Sequence, residues 1–184
     1  MPQHSVMKPI NASKSYLVLI NSLQILKKFT KQRFKMNQKT EILAQCLINL
    51  YYFGSRNLNN RTRYLIYKII NFIFAKLFLN SEIPATVKIG KNLKIYHPYG
   101  ITINENVEIG ENVILRKNVT IGNKGINNQA APVIGNNVEF GVGSVVIGPV
   151  FIESNSIIGA NAVVTKSCPE ESIMVGIPAK NIKK

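Results

Sequence analysis

The sequence predicts a mainly β protein whose larger part is a parallel β-helix of stacked, three-sided coils, preceded by a small α-helical region. Three observations predict it. Residues 87–166 repeat with a period of six, and the first and third positions of each unit are apolar or small. A period of six does not fit the 3.6 residues of a helical turn, whereas apolar residues at alternate positions suit a short strand. Residues 1–80 lack this repeat and show helical spacing instead.

Three helices are expected before the repeat. The first covers residues 16–35 and ends in a basic run. The second covers residues 40–53, with Thr40 as its N-cap and Gly54 as its stop. The third runs from about residue 61 to residue 79, because the proline at position 84 prevents a helix from continuing.

The repeat itself supplies the coils. Twelve six-residue units fill most of residues 87–166, and Ser81–Thr86 can serve as a thirteenth unit in the same phase. Three strands with three corners close one coil, so twelve units make about four coils. Gly at the fourth position and Asn at the sixth suit corners where the backbone needs a positive φ. We therefore divide the chain into a basic helical region, residues 1–80, and a β-helix domain with a C-terminal tail, residues 81–184.

The repeat loses its phase at two places. Two extra residues, Tyr99 and Gly100, follow His97-Pro98, and seven more, Gly125–Ala131, follow a later unit. Extra residues in a stacked solenoid must leave the stack as loops or bulges. This places His97, the one histidine within the repeat, at a corner rather than in the core, where it is a candidate catalytic base.

Charge is concentrated in the helical region. Residues 1–80 hold thirteen Lys and Arg against one acid, Glu41, whereas residues 81–184 hold ten Lys and Arg against eight Glu. A basic arm suits nucleic acid, an anionic membrane or a phosphorylated substrate, and it is also typical of a solvated helical surface. We expect no nucleic acid partner, because no stacking module or recognition motif accompanies the charge.

Residues 64–79 are strongly apolar but short for a bilayer span, and Lys68 and Lys76 interrupt them. They are expected to form a buried or interfacial helix. Beside the basic arm, such a helix favours a peripheral contact of residues 1–80 with the anionic inner face of a membrane. The alternative is that the helices cap the solenoid's end against neighbouring protomers.

The cysteines indicate a reducing compartment. Cys46 and Cys168 are far apart in sequence and do not resemble a secreted disulfide framework. No signal peptide is evident at the N-terminus, so a cytoplasmic protein is expected. The two cysteines and two histidines are scattered without metal-ligand spacing, so we expect no metal.

Two stretches carry a resemblance to a known family. The segment Glu82–Ile103, with its Tyr-His-Pro-Tyr-Gly-Ile-Thr-Ile ending, and the tail Val175–Lys180 are both similar to motifs of the serine O-acetyltransferase-like branch of the hexapeptide-repeat acyltransferases. The resemblance covers residues 81–182. It implies a left-handed parallel β-helix, a homotrimer with active sites between neighbouring protomers, and acetyl-CoA as the acyl donor.

Carried over residue by residue, the resemblance places His97 on the family's catalytic histidine and Glu82 on the carboxylate that orients it. Ala131 and Ala130 stand where the serine enzymes have a His and an Arg that help to hold the substrate serine. Both departures remove groups that recognise an amino acid. The resemblance therefore favours a sugar hydroxyl of a surface polysaccharide as the acceptor, with serine acetylation for cysteine biosynthesis as the alternative.

Further residues are expected in the site. The positions that match the family's coenzyme A site are Gly122, Gly141, Val142, Gly159, Ala160, Lys166 and Lys180. The candidates for acceptor binding are Tyr96, Tyr99, Asn127 and Asn128, because aromatic rings stack on sugars and amides bond to hydroxyls. Each set has a structural alternative: small residues suit corners, tyrosines can pack, and the loop can be solvated.

Other classes fit the sequence less well. A γ-type carbonic anhydrase shares the fold but needs three metal-binding histidines, and the repeat holds one. A nucleotidyltransferase would need a Gly-rich α/β domain before the repeat. A scaffold without catalytic activity stays open.

Overall fold

A computed structural model describes residues 41–125 and 129–183 of the chain. The described residues belong to one compact unit that begins at residue 40. The expected helix over 16–35 and the N-cap Thr40 lie outside the described residues.

Two helices precede the strands. Helix α1 covers residues 41–56, and α2 covers Arg61–Ile70, where the Asn60 side chain caps it by accepting a hydrogen bond from the Arg63 N–H at 3.0 Å. Helix α2 continues without a break into a π-helical segment, Asn71–Phe78. The third expected helix is therefore confirmed, with a wider second half.

Gly54 does not end a helix, so its interpretation as a stop was wrong. Helix α1 continues two residues beyond it, and Gly54 is buried. A Cβ at this position would lie 2.5 Å from the Tyr67 ring. Glycine is needed here because α1 and α2 pack closely, not because the chain turns.

In the described part of the chain, fourteen short strands form the three faces of a prism. Face 1 contains β1 (Lys88–Ile89), β4 (Glu108–Ile109), β7 (Val133–Ile134) and β10 (Phe151–Ile152). Face 2 contains β2 (Lys94–Tyr96), β5 (Ile114–Arg116), β8 (Glu139–Phe140), β11 (Ile157–Ile158), β13 (Ile173–Val175) and β14 (Lys180–Asn181). Face 3 contains β3 (Thr102–Ile103), β6 (Thr120–Gly122), β9 (Val145–Ile147) and β12 (Val163–Val164).

The predicted parallel β-helix is confirmed. Every strand pairs in parallel with the next strand of its face, except β14, which returns antiparallel to β13. The thirteenth unit is also part of the stack, since Glu82 pairs with Thr102 at the start of face 3.

The core follows the six-residue pattern. From Val87 to Val164 the first and third residues of the units are buried, with the exception of a half-buried Ile89. Serines replace apolar residues at some first positions, and their hydroxyls bond to backbone. For example, Ser144 Oγ donates to the Gly141 carbonyl at 2.8 Å.

The corners depend on asparagine in a way that the sequence predicted. Asn92, Asn112, Asn137 and Asn155 all adopt a positive φ, between 56° and 61°. Their side chains form a ladder along the edge between faces 1 and 2, with amide-to-carbonyl distances of 2.9 to 3.0 Å. Asn tolerates the left-handed region better than most residues.

The fourth-position glycines have a different role from the predicted one. Gly90, Gly110 and Gly135 are not among the residues with positive φ. A Cβ on Gly110 would lie 2.7 Å from the backbone of Gly135, and one on Gly90 would meet Gly110 in the same way. They are glycines because adjacent coils stack too closely for any side chain.

The helices close the N-terminal end of the β-helix. Tyr51 donates its hydroxyl to the Val87 carbonyl at 2.6 Å, and Tyr52 donates to the Gly90 carbonyl at 2.9 Å. Leu47 and Ala75 join the same buried cluster as the first coils. Across the described residues, no helix has both the length and the apolar character that crossing a bilayer requires.

Replacing Asn137 with alanine is expected to lower the free energy of unfolding by about 2 kcal/mol. The substitution removes two hydrogen bonds of the asparagine ladder, and it leaves alanine, which has no side-chain amide, in the left-handed region at φ 56°. Asn137→Gly relieves the backbone strain and should cost about half as much. Urea denaturation midpoints compare the two variants with the wild type. Equal midpoints for Asn137→Ala and the wild type would show that the ladder contributes no stability.

Candidate active site

His97 lies at the corner where face 2 turns into face 3. It follows β2 directly and adopts φ 59°. The corner residues stacked in register on this edge are Gly100, Asn118, Gly143 and Asn161, with φ of 68°, 59°, 69° and 55°. His97 is therefore an additional residue with a positive φ, three positions before the corner residue Gly100. It is exposed, as its predicted place outside the core requires.

Residues 97–100 form a fixed bulge, two residues longer than the segment 117–118 that lies opposite it in the next coil. The Tyr99 N–H donates to the His97 carbonyl at 2.7 Å, and the Gly100 N–H donates to the Leu79 carbonyl at 3.1 Å. Gly100 has φ 68°, and a Cβ there would lie 2.3 Å from Asn118 Oδ1. The buried Ser81 hydroxyl donates to the Pro98 carbonyl at 2.9 Å. The backbone beside His97 is therefore bonded to Leu79 and Ser81 on one side and lies close to Asn118 of the next coil on the other.

Glu82 lies on the chain segment that supports this bulge. Its N–H donates to the Ile101 carbonyl at 2.7 Å, and Ser81 beside it bonds to Pro98. The half-exposed Glu82 carboxylate accepts a hydrogen bond from Lys76 Nζ at 2.5 Å. The structure therefore brings the segments of Glu82 and His97 together, while the carboxylate itself is paired with the helix.

Lys76 is the site neighbour that sequence reasoning missed. In the sequence it stands out only as an interruption of the apolar stretch. The π-helical segment places it over the first unit of face 3, six residues before Glu82. The i, i+6 separation is not a helical neighbour spacing, so no local pattern indicates this pair.

A groove runs along face 3 beside Glu82. It has a volume of about 380 Å³ and is lined by Glu82, Pro84, Thr102, Ile103, Asn104, Glu105, Thr120, Ile121, Gly122, Asn123 and Ile147. A second groove of about 330 Å³ lies between the helix and the first coil, and it shares Glu82, Pro84 and Glu105. Tyr67 lines that second groove, and burial raises its pKa to about 12, so its hydroxyl stays protonated at neutral pH.

The residues predicted to contact an acyl donor fall into two groups. Gly141, Val142, Gly159 and Ala160 lie on the same edge as His97, two and three coils further along. Gly122 is the last residue of β6 and Lys166 lies two residues after β12, so both are at the opposite end of face 3. Lys180 is exposed in the tail, which the Ala179 N–H ties to the Val163 carbonyl at 2.8 Å. Both groups therefore border face 3.

The glycines of this set differ in why they lack a side chain. A Cβ on Gly141 would lie 2.5 Å from the Ala160 backbone nitrogen, and one on Gly159 would lie 2.9 Å from Val175. Coil stacking accounts for both. A Cβ on Gly122 would find only Asn104 Cβ, at 3.8 Å, and would project into the face 3 groove. Coil stacking therefore explains why Gly141 and Gly159 lack a side chain, but it does not explain Gly122.

The predicted acceptor residues are only partly described. Tyr96 and Tyr99 flank His97 and are both exposed. The Arg116 guanidinium lies 5.9 Å from the centre of the Tyr96 ring and also pairs with Glu139 at 2.5 Å. Asn127 and Asn128 lie outside the described residues.

Neither cysteine adds a nucleophile to the site. Cys46 and Cys168 are both free. Burial raises the pKa of the Cys168 thiol, which keeps it protonated. Within residues 41–125 and 129–183, no group of three or more His, Cys, Asp or Glu side chains is arranged to hold a metal ion.

Known proteins resemble the chain over most of its length. The putative colanic acid biosynthesis acetyltransferase WcaB of Escherichia coli K12 is 38% identical over 116 residues, which are 63% of this chain and 69% of that protein. Serine acetyltransferase of Staphylococcus aureus is 39% identical over 130 residues, 70% of this chain. The structure of soybean serine acetyltransferase apoenzyme superposes with a TM-score of 0.64 and 27% identity over 72% of this chain. No protein-family model matches the chain.

Fold and relatives together define the class of protein: the chain is an acyltransferase built on a parallel β-helix. It belongs to the hexapeptide-repeat acyltransferases, in the branch that contains WcaB and the serine acetyltransferases. It spans 61% of the length of the staphylococcal enzyme and 55% of the soybean chain.

Proposed function

We propose that the chain transfers an acetyl group from acetyl-CoA to a sugar hydroxyl in surface polysaccharide biosynthesis, in the cytoplasm, with His97 as the general base. The observation that carries this proposal is the position of His97. His97 adopts φ 59° at the start of a hydrogen-bonded bulge, where residues 97–100 stand in place of the two residues 117–118 of the next coil. A left-handed histidine carries backbone strain, and such strain is concentrated at functional sites.

The reaction needs a base because a neutral hydroxyl is a weak nucleophile. As the acceptor oxygen forms its bond to the thioester carbonyl carbon, an imidazole nitrogen of His97 takes the hydroxyl proton. The tetrahedral intermediate then expels the thiolate of coenzyme A, and the imidazolium returns the proton to that sulfur. An imidazole can accept a proton and then donate it, so a histidine suits both halves of this transfer.

Glu82 is the proposed orienting residue for His97, in the manner of the acid in a hydrolase triad. Its backbone is fixed beside the bulge by the bond to Ile101. Its carboxylate is shared with Lys76, and an ammonium beside the carboxylate would weaken its attraction for an imidazolium. The proposal therefore requires the Glu82 side chain to leave Lys76, or to bond to both partners, during turnover.

Small residues on both sides of face 3 suit the pantetheine arm of the donor. Gly122 opens into the groove, and Gly141 and Gly159 are half-buried on the His97 edge. A bound donor would bring its phosphates near exposed cations, for which Lys166 and Lys180 are the candidates. Acetyl-CoA supplies the activated acyl group when bound.

Face residues support assembly into a homotrimer. Val133 and Phe151 on face 1 and Ile157 on face 2 are exposed apolar side chains that point away from the core. Packing between protomers would bury them. Site residues on edges and faces, rather than in a closed cavity, are consistent with an active site completed by a neighbouring protomer.

Two observations bear on the acceptor. Ala130 and Ala131 offer no charged or hydrogen-bonding side-chain group for an amino acid carboxylate, and the relative WcaB is named for colanic acid biosynthesis. The comparable identity to serine acetyltransferase supports serine as a second candidate acceptor. We favour the sugar because the two alanines lack the side-chain groups that would contact an amino acid carboxylate and offer no others in their place.

Replacing His97 with asparagine is expected to reduce kcat by about 10²- to 10⁴-fold, because the base is lost. Asn adopts this φ at Asn92, Asn112 and Asn118, so His97→Asn should fold as the wild type does. His97→Ala is the comparison variant, which adds backbone strain. Thiol release from acetyl-CoA measures turnover. Wild-type turnover in His97→Asn would contradict the assignment of the base.

Replacing Gly122 with alanine should raise KM for acetyl-CoA by about tenfold, since one methyl group would obstruct a tightly fitted pantetheine arm. The fold should be unaffected, because the new Cβ meets nothing closer than 3.8 Å. Gly141→Ala is the contrasting variant and should lower the unfolding midpoint by steric overlap with Ala160. An unchanged KM in Gly122→Ala would mean that the donor does not pass this position.

The acceptor can be tested by comparing kcat/KM for free serine with that for oligosaccharides from bacterial surface polysaccharides. We expect turnover with a saccharide and little with serine. The double substitution Ala130→Arg and Ala131→His restores the two missing groups. It should lower kcat/KM for the saccharide below the wild-type value and raise kcat/KM for serine. Efficient acetylation of serine by the wild-type chain would favour the second candidate instead.

A further inference from the structure

We propose that the outward side of the helix Arg61–Phe78 docks on an anionic lipid surface. This inference is independent of the proposed acetyl transfer. It concerns a set of exposed side chains that we call the apolar helix face: Leu65, Ile66, Ile69, Ile70, Phe72, Ile73, Leu77 and Phe78.

The apolar helix face points away from the protein. Its members are between 44% and 66% exposed. The opposite side of the same helix packs inward through Tyr67 and Ala75, which are 3% and 0% exposed. Tyr67 contacts Leu50 and Ala85 in a small cluster, and Ala75 joins the main core. The helix is thus anchored by one side, while the other presents a contiguous apolar surface of a kind that usually marks an interaction site.

Charge selects the partner. The helix carries Arg61, Arg63 and Lys68, as well as Lys76, which is paired with Glu82, and it holds no acid. Residues 1–80 as a whole hold thirteen cations and one acid. A second copy of this helix, or another basic segment of the chain, would meet it with like charge. Anionic lipid headgroups instead complement the cations, and the acyl region accepts the apolar side chains.

The arrangement on the helix suits an interface between headgroups and acyl chains. Arg61 and Arg63 stand at its first turn, beside the start of the apolar helix face. Lys68 is exposed, with its ammonium 5.1 Å from the centre of the Tyr64 ring. Long cationic side chains can reach headgroups while their stems stay over apolar surface. We infer that the helix lies in the plane of the interface, with the apolar helix face turned toward the acyl chains.

Cosedimentation of the full chain with vesicles tests this surface directly. The probes are vesicles of phosphatidylcholine alone and of phosphatidylcholine mixed with phosphatidylglycerol. The full chain should bind the mixed vesicles at low salt, bind the neutral vesicles at least tenfold more weakly, and dissociate as salt is added.

Matched variants locate the contact. Ile69→Ser with Ile73→Ser should weaken binding to the mixed vesicles at least tenfold. Ile177→Ser with Ile182→Ser removes two similarly exposed isoleucines from the C-terminal tail and should leave binding unchanged. Circular dichroism checks that both variants keep the fold.

Three results would overturn the proposal: no binding of the wild type to the mixed vesicles, equal binding to neutral vesicles, or wild-type binding by the helix variant. Sedimentation velocity distinguishes the competing occupant. A helix variant that forms smaller oligomers but binds vesicles normally would assign the apolar helix face to contacts between copies of the chain.

Discussion

Close stacking of successive coils is the constraint on which the rest of this structure depends. Parallel backbone hydrogen bonds link each strand to the next strand of its face, so neighbouring coils must stay in register around all three corners. Contact at the corners leaves no room for a Cβ on Gly110 or Gly141. The same corners need a left-handed residue, which asparagine provides while its amide bonds to the coil beside it. One geometric requirement thus explains both residue types that dominate the repeat.

The candidate active site is a local exception to that requirement. His97 adopts an additional positive φ before the corner, Gly100 takes the corner itself, and the chain rejoins the stack at Ile101. Ser81, Gly100 and Asn118 hold the bulge so that strands before and after it keep their register. The extra residues lengthen this corner, so His97 is exposed there while the first and third residues of the neighbouring units stay buried. The same few residues therefore position the candidate catalytic side chain and keep the coils in register.

The helical region does more than close the end of the β-helix. Tyr51 and Tyr52 satisfy carbonyls of the first coil, and the π-helical segment brings Lys76 to Glu82. The helix that contacts a site residue on one side is the one that exposes the apolar helix face on the other. A surface to which this helix docked would accordingly lie close to the groove beside Glu82.

The sequence by itself determined the coil architecture, the corner asparagines, the buried positions and the bulge at His97, because each follows from a six-residue period that every coil repeats. It misjudged Gly54 and the fourth-position glycines, since a missing side chain indicates either a turn or a close approach, and only the packed neighbour distinguishes them. It also missed Lys76, because the Lys76–Glu82 contact depends on how a helix docks on a coil. Tertiary structure likewise decided which small residues near face 3 open into a groove, as Gly122 does. The space in front of a residue depends on the coil or helix packed opposite it, and the neighbouring sequence does not specify that packing.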